Sequence, residues 1–199
     1  LVVEHKGIYS LENYLTTRRL MYWQVYLHRT CVAYEKVLIN MLTRAKDLIK
    51  TGQDVFASPA LYYFLSNNVD AAWFDTHPEA LENYGELDDS DIWSAMKAWK
   101  HHSDKILSTL ATDMLDRKIF KVEVHEEPIT EDRIAELKEK IAQKLDISID
   151  DAHYLMSVNT ISKDMYNVDD DSITILYKDG SVRDISEASE LLNVQLLSK

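Results

Sequence analysis

The stretch Leu15-Thr-Thr-Arg-Arg-Leu-Met-Tyr-Trp-Gln-Val-Tyr-Leu-His-Arg-Thr30 holds three arginines, three large aromatics and a histidine, with no Gly or Pro to break a helix. At about 100° per residue, Arg18, Tyr22, Tyr26 and Arg29 fall on one narrow helical face. A core helix would place leucines there, and a solvated one lysines and glutamates. Read purely as structure, the arginines would reach the edge of a buried helix and pair with carboxylates. Read as a site, Arg18 offers a planar, bidentate fork for a phosphate, and Tyr22 and Tyr26 offer hydroxyls and ring faces to a sugar or base.

Outward from this face, Ser10 is a fitting N-cap and no breaker precedes Gly52, so one long helix is expected from about residue 11 to 50. Its apolar positions, among them Leu15, Tyr22, Val25, Tyr26, Val32, Val37 and Met41, wrap much of the circumference, the pattern of a helix buried on several sides. Ser58-Pro59 opens a second helix, and two more start near Asp88 and Ser103. The texture changes at Lys118. Ile119–Glu127 alternates as a strand, Thr130 caps an amphipathic helix, and Ala152–Thr160 is a second strand candidate. Asp179-Gly180 lies between two short apolar runs and predicts a hairpin. A short helix from Ser186 and an apolar end, Asn193–Leu197, close the chain. The expected fold is a mainly α part over residues 1–117, built on a long central helix with shorter ones, followed over 118–199 by a small α+β lobe with an antiparallel sheet.

Composition bounds the function. The chain has 199 residues, 46% of them apolar, and a formal charge of −12 from 22 basic and 34 acidic residues. That acidity disfavours nucleic-acid backbones and anionic membranes as partners, while leaving room for a local basic pocket. No apolar run approaches a membrane span, and no signal-peptide pattern opens the chain. A single Cys31 fits a reducing, cytoplasmic compartment. None of the seven histidines sits in an HExxH or zinc-type spacing. The acidic run Asp169-Asp170-Asp171 reads as a solvated loop. The chain opens on Leu-Val-Val-Glu-His, without Met, and is expected to be part of a longer polypeptide.

The segment Lys6–Leu38 resembles the helix that follows the metal site in HD-domain phosphohydrolases, in particular bacterial HD proteins related to dNTP triphosphohydrolases. The likeness extends through Ser58–Leu65, Leu87–Trp99, Asp116–Lys121 and Ile173–Asn193. It implies that Arg18 binds a substrate phosphate, that Tyr22 fills a position held by His or an aromatic, and that Tyr26 lies near the sugar. A mammalian member carries His where this chain has Tyr22 and Gln where it has Leu27. Proton donation and base recognition therefore do not carry over at those two positions. Lys6 and Arg29 match two lysines that hold a regulatory nucleotide between subunits in that member.

HD enzymes bind their divalent metal through a His, a His-Asp pair and a later Asp upstream of this helix, and no His-Asp dipeptide occurs in this chain. The resemblance thus implies a C-terminal portion of a metal-dependent phosphohydrolase acting on a nucleotide or related phosphate ester, with the metal and catalytic ligands elsewhere. This chain alone is then expected to be inactive, and to be a homo-oligomer that hides the apolar surface of residues 11–50. A reading of a different class is a non-catalytic interaction and oligomerisation module.

Overall fold

The computed structural model describes residues 2–161 and 172–189. The acidic run at 169–171 and the apolar end at 193–197 lie outside them. Among the described residues the chain is mostly helical, with a small three-stranded sheet. Two compact units are distinguished, residues 1–31 with 159–199, and residues 32–158. The expected partition at 117/118 follows local sequence pattern, whereas these units follow packing.

In the first unit β1 (Val2–Glu4) leads through one 3-10 turn into α1 (Ile8–Met21). Strands β2 (Thr174–Leu176) and β3 (Val182–Asp184) form the expected antiparallel hairpin, with Ile175 opposite Arg183. Its turn is set by Gly180 at φ 82°, a left-handed conformation that costs glycine little, while the Asp179 carboxylate accepts from the Ser181 N–H at 2.9 Å. The sheet is mixed, because β1 adds to β2 in parallel with Val3 beside Ile175. Ile8, Leu15, Ile175, Ile185 and Ala188 bury a small core between α1, the sheet and the final turn α9 (Ile185–Ala188). Glu12 is buried beside it and accepts a hydrogen bond from Ser189 Oγ at 2.5 Å.

The single helix expected over 11–50 is two helices. It ends at Met21, passes through a wide turn at Tyr22–Tyr26, breaks at Leu27-His28, and resumes as α2 (Arg29–Lys50). Within the second unit, Val37, Met41, Ala45 and Leu48 of α2 are almost wholly buried at helical spacing. They pack against α3 (Pro59–Ser66), α6 (Asp89–Trp99) and α7 (Lys105–Leu115), joined by two short helices, α4 (Ala71–Thr76) and α5 (Pro78–Glu86). Caps explain where these helices start. Ser58 accepts from Leu61 N–H with Pro59 in the first turn, Asp88 and Asp91 form a reciprocal capping box, and Asp104 caps α7. Trp99 is fully buried and its indole N–H donates to the Phe56 carbonyl at 2.8 Å, so its polar edge is satisfied inside the core.

Thr130 caps α8 (Glu131–Leu145) as expected, and a 3-10 turn, Asp151–Leu155, follows. The two strand candidates in this region form no sheet. Residues 119–126 belong to no helix and no ladder, and 152–155 lie in a 3-10 turn that places Tyr154 in the α2–α7 core. A polar network fixes that insertion. Arg44 donates through Nε and Nη2 to both Asp104 oxygens (3.1 and 2.6 Å) and through Nη1 to Asp151 (2.9 Å), with its guanidinium over the Tyr154 ring at 5.0 Å. The Tyr154 hydroxyl donates to Asp47 at 2.7 Å, and Asn40 donates to the Tyr154 and Met156 carbonyls. Burial, and then the bond to Asp47, push the Tyr154 hydroxyl above its usual range.

Burial by itself would raise the Asp104 carboxyl, but the bidentate bond from Arg44 and the Leu107 N–H together hold it below the usual carboxylate range. A folded value below the unfolded one gives stability that is complete above the unfolded pKa, about 3.9, and is lost as pH falls through the folded value. Asp104→Asn keeps an N-cap acceptor and removes the charge. We expect it to cost about 3 kcal/mol near neutral pH, the lower end for breaking a buried pair, because Asp151 still meets Arg44. Urea titrations near neutral pH and at a pH below the folded value should show this deficit shrinking in acid, where wild-type Asp104 is itself protonated. An equal deficit at both pH values would contradict the ionic account.

Candidate functional site

An α-helix of 3.6 residues per turn drifts by about 40° every four residues, so Arg18, Tyr22 and Tyr26 would fan out on a regular helix. The wide turn changes that. Leu27 N–H donates to the Tyr22 carbonyl at 2.7 Å, a five-residue closure that adds a residue to the turn and offsets the drift. The result is a stack. The Arg18 guanidinium lies over the Tyr22 ring at 5.3 Å, and the Tyr22 and Tyr26 rings meet at 5.2 Å with a 46° tilt. The three sequence-predicted substrate residues are thus brought onto one ridge.

This ridge is not core. Tyr26 is 57% exposed, Trp23, Val25, Leu20 and Met21 are exposed too, and Arg18 and Tyr22 are half-buried. The expectation of a helix buried on several sides gives way to one buried stripe along α2, with Glu35, Ile39 and Thr43 exposed, and it fails for residues 20–26, most of which are exposed. A half-buried arginine laid over a ring is steadied in orientation, and its planar fork suits a bidentate oxyanion.

The pair proposed for a regulatory nucleotide is placed differently. Lys6 forms an exposed ion pair with Glu4 at 2.6 Å, Arg29 is exposed at the start of α2, and no contact joins the two. The hydrogen bond and charge of Glu4 raise the Lys6 ammonium pKa. One cluster in the same unit has no local signal in the sequence. Tyr177 meets both the His5 ring (4.6 Å) and the Arg183 guanidinium (5.1 Å), residues brought together by the β1–β2–β3 pairing.

Two other features fit a phosphate poorly. A cleft of about 360 Å³ between residues 123–130 and α8 is lined by Glu123, Glu126 and Glu127 against only His125 and Arg133, so its balance repels an anion. Between α3, α4 and α5, Trp73 stacks on His77 at 3.8 Å and donates to the Tyr63 hydroxyl at 2.9 Å, an arrangement that satisfies its own polar atoms. Among the described residues no group of three His, Cys, Asp or Glu side chains is placed to hold a metal ion, and no helix is long and apolar enough to cross a membrane.

No protein-family model matches the chain. Over its whole length it is similar to a phosphohydrolase of Bacteroides thetaiotaomicron VPI-5482, with 56% identity and a TM-score of 0.90, covering 49% of that chain. It is 26% identical over 198 residues to the uncharacterized protein YwfO of Bacillus subtilis strain 168, covering 96% of this chain and 43% of that protein. The chain therefore spans about half the length of these relatives.

Because Tyr26 packs on little but Tyr22, Tyr26→Ala should change unfolding free energy by no more than about 0.5 kcal/mol. Leu15→Ala, one turn before Arg18 but 2% exposed in the α1–sheet core, should cost about 2–5 kcal/mol. Thermal or urea denaturation of the two variants separates the ridge from the core. Comparable losses would show that the ridge is structural.

Proposed function

We propose that this chain is the substrate-side portion of a phosphohydrolase acting on a nucleoside triphosphate or a related phosphate ester. The observation that carries the reading is the likeness along the entire chain, at 56% identity, to a protein described as a phosphohydrolase. The HD-type resemblance of residues 6–38 supports the finer assignment to a metal-dependent, dNTP triphosphohydrolase-like enzyme. In this reading Arg18 clamps a phosphate through its planar fork, steadied by the Tyr22 ring. Tyr22 and Tyr26 line the path of the sugar, and their hydroxyls and ring faces orient it. The metal ligands that activate water belong to a part of the longer protein that this chain does not span. A divalent ion there would polarise the scissile phosphate while Arg18 balances its charge.

In a protein of its relatives' full length containing this chain, Arg18→Lys keeps the charge and loses the fork. A charge-assisted hydrogen bond is worth roughly 1.5–3 kcal/mol, so kcat/KM should fall by about one to two decades. The melting temperature should hardly move, since Arg18 is not part of the core. Tyr22→Phe, which preserves the ring under the guanidinium, should cost far less. This chain by itself should release no phosphate from dNTPs with any divalent ion. Unchanged kinetics in Arg18→Lys would overturn the clamp.

A further inference from the structure

Residues 118–126, Lys-Ile-Phe-Lys-Val-Glu-Val-His-Glu, have the composition of a strand and no partner of their own. Among the described residues, no backbone N–H or carbonyl from 119 to 129 takes part in a hydrogen bond. Phe120 anchors the segment by packing on the α2–α7 core, Val122 is half-buried, and Val124 is 81% exposed. Pro128, which cannot donate, ends the run. A segment rich in strand-forming residues with a free backbone is a template for another strand.

The charges say which strand. About Val122 the lysines and glutamates are antisymmetric, while Ile119 mirrors His125. Lys121 mirrors Glu123, Lys118 mirrors Glu126, and Phe120 mirrors Val124. We infer that two copies of this chain pair antiparallel through residues 118–126 across a two-fold axis at Val122. Strand alternation then sets Lys121 opposite Glu123 on one face, twice by symmetry. On the other face Lys118 meets Glu126, Phe120 meets Val124, and the two Val122 side chains meet on the axis. Both lysines of the segment face an acid, and the exposed Val124 is covered. A parallel or in-register alignment would instead stack like charges.

The ion pairs that the two lysines of the segment make within one chain lie on the surface. Lys121 now pairs with Glu123 at 2.8 Å and Lys118 with Asp116 at 3.2 Å, on side chains that are 85% and 70% exposed. Such surface pairs contribute about 0–1 kcal/mol each and are readily traded for cross-strand ones. This interface is independent of the ridge at Arg18 and of the phosphohydrolase reading.

The test uses sedimentation equilibrium of the chain and of two single variants, with far-UV circular dichroism confirming that each is folded. Wild type should be a dimer. Lys121→Glu sets acid against acid, and Glu123→Lys base against base, so each alone should weaken association by at least about tenfold. An equimolar mixture of the two variants restores both cross-strand pairs and should regain the wild-type affinity as a heterodimer. Mixing cannot repair a salt bridge internal to one chain, so recovery on mixing is specific to pairing between copies. A monomeric wild type, variants that dimerise as well as wild type, or a mixture no tighter than its components would each overturn the inference.

Discussion

One backbone hydrogen bond, from the Leu27 N–H to the Tyr22 carbonyl, governs the geometry of the candidate site. It widens the turn at Tyr22–Tyr26 by a residue, and that extra residue realigns side chains which a regular helix would splay. Arg18 then rests on Tyr22, and Tyr22 on Tyr26. The same closure ends α1 and frees α2 to begin at Arg29, where the buried 37-41-45-48 stripe follows its own register. The cost of an exposed aromatic ridge is carried where little packing depends on it.

The helical unit is held by a different principle. Its centre is apolar, but the insertion of Tyr154 brings a guanidinium, three carboxylates and a phenol under cover together. Arg44 resolves the conflict by giving three donors to two aspartates from separate elements, α7 and the 3-10 turn after α8. A buried polar network of this kind is costly when half satisfied, so it specifies one docking of that turn against α2. Carboxylate protonation is therefore the route by which acid should loosen this unit first.

Much of the helical framework was legible because it is written in local chemistry. Ser58-Pro59, Asp88 with Asp91, Thr130 and Asp179-Gly180 each satisfy backbone groups within a few residues, and each marks the element it was expected to mark. The Arg-Tyr-Tyr spacing was legible for the same reason. The break at Leu27-His28 was not, because it contains no Gly or Pro and arises from a shift in hydrogen-bond register. Strand β1 escaped notice because three residues acquire strand character only by pairing with a segment some 170 positions away. Residues 119–126 show the reverse: strand-forming residues make no strand where no second strand is supplied. Glu12, an apparent surface acid, is buried with Ser189 through the same distant pairing.

The central claim is that the Tyr22–Tyr26 turn exists to present Arg18 to a phosphate. The most direct measurement is a crystal structure of a protein of the relatives' full length containing this chain, soaked with a divalent ion and a non-hydrolysable nucleoside triphosphate. The account predicts a phosphate oxygen pair on the Arg18 guanidinium, with Tyr22 still beneath it and Tyr26 beside the sugar. Arg18 paired to a protein carboxylate, with the phosphates bound elsewhere, would contradict it.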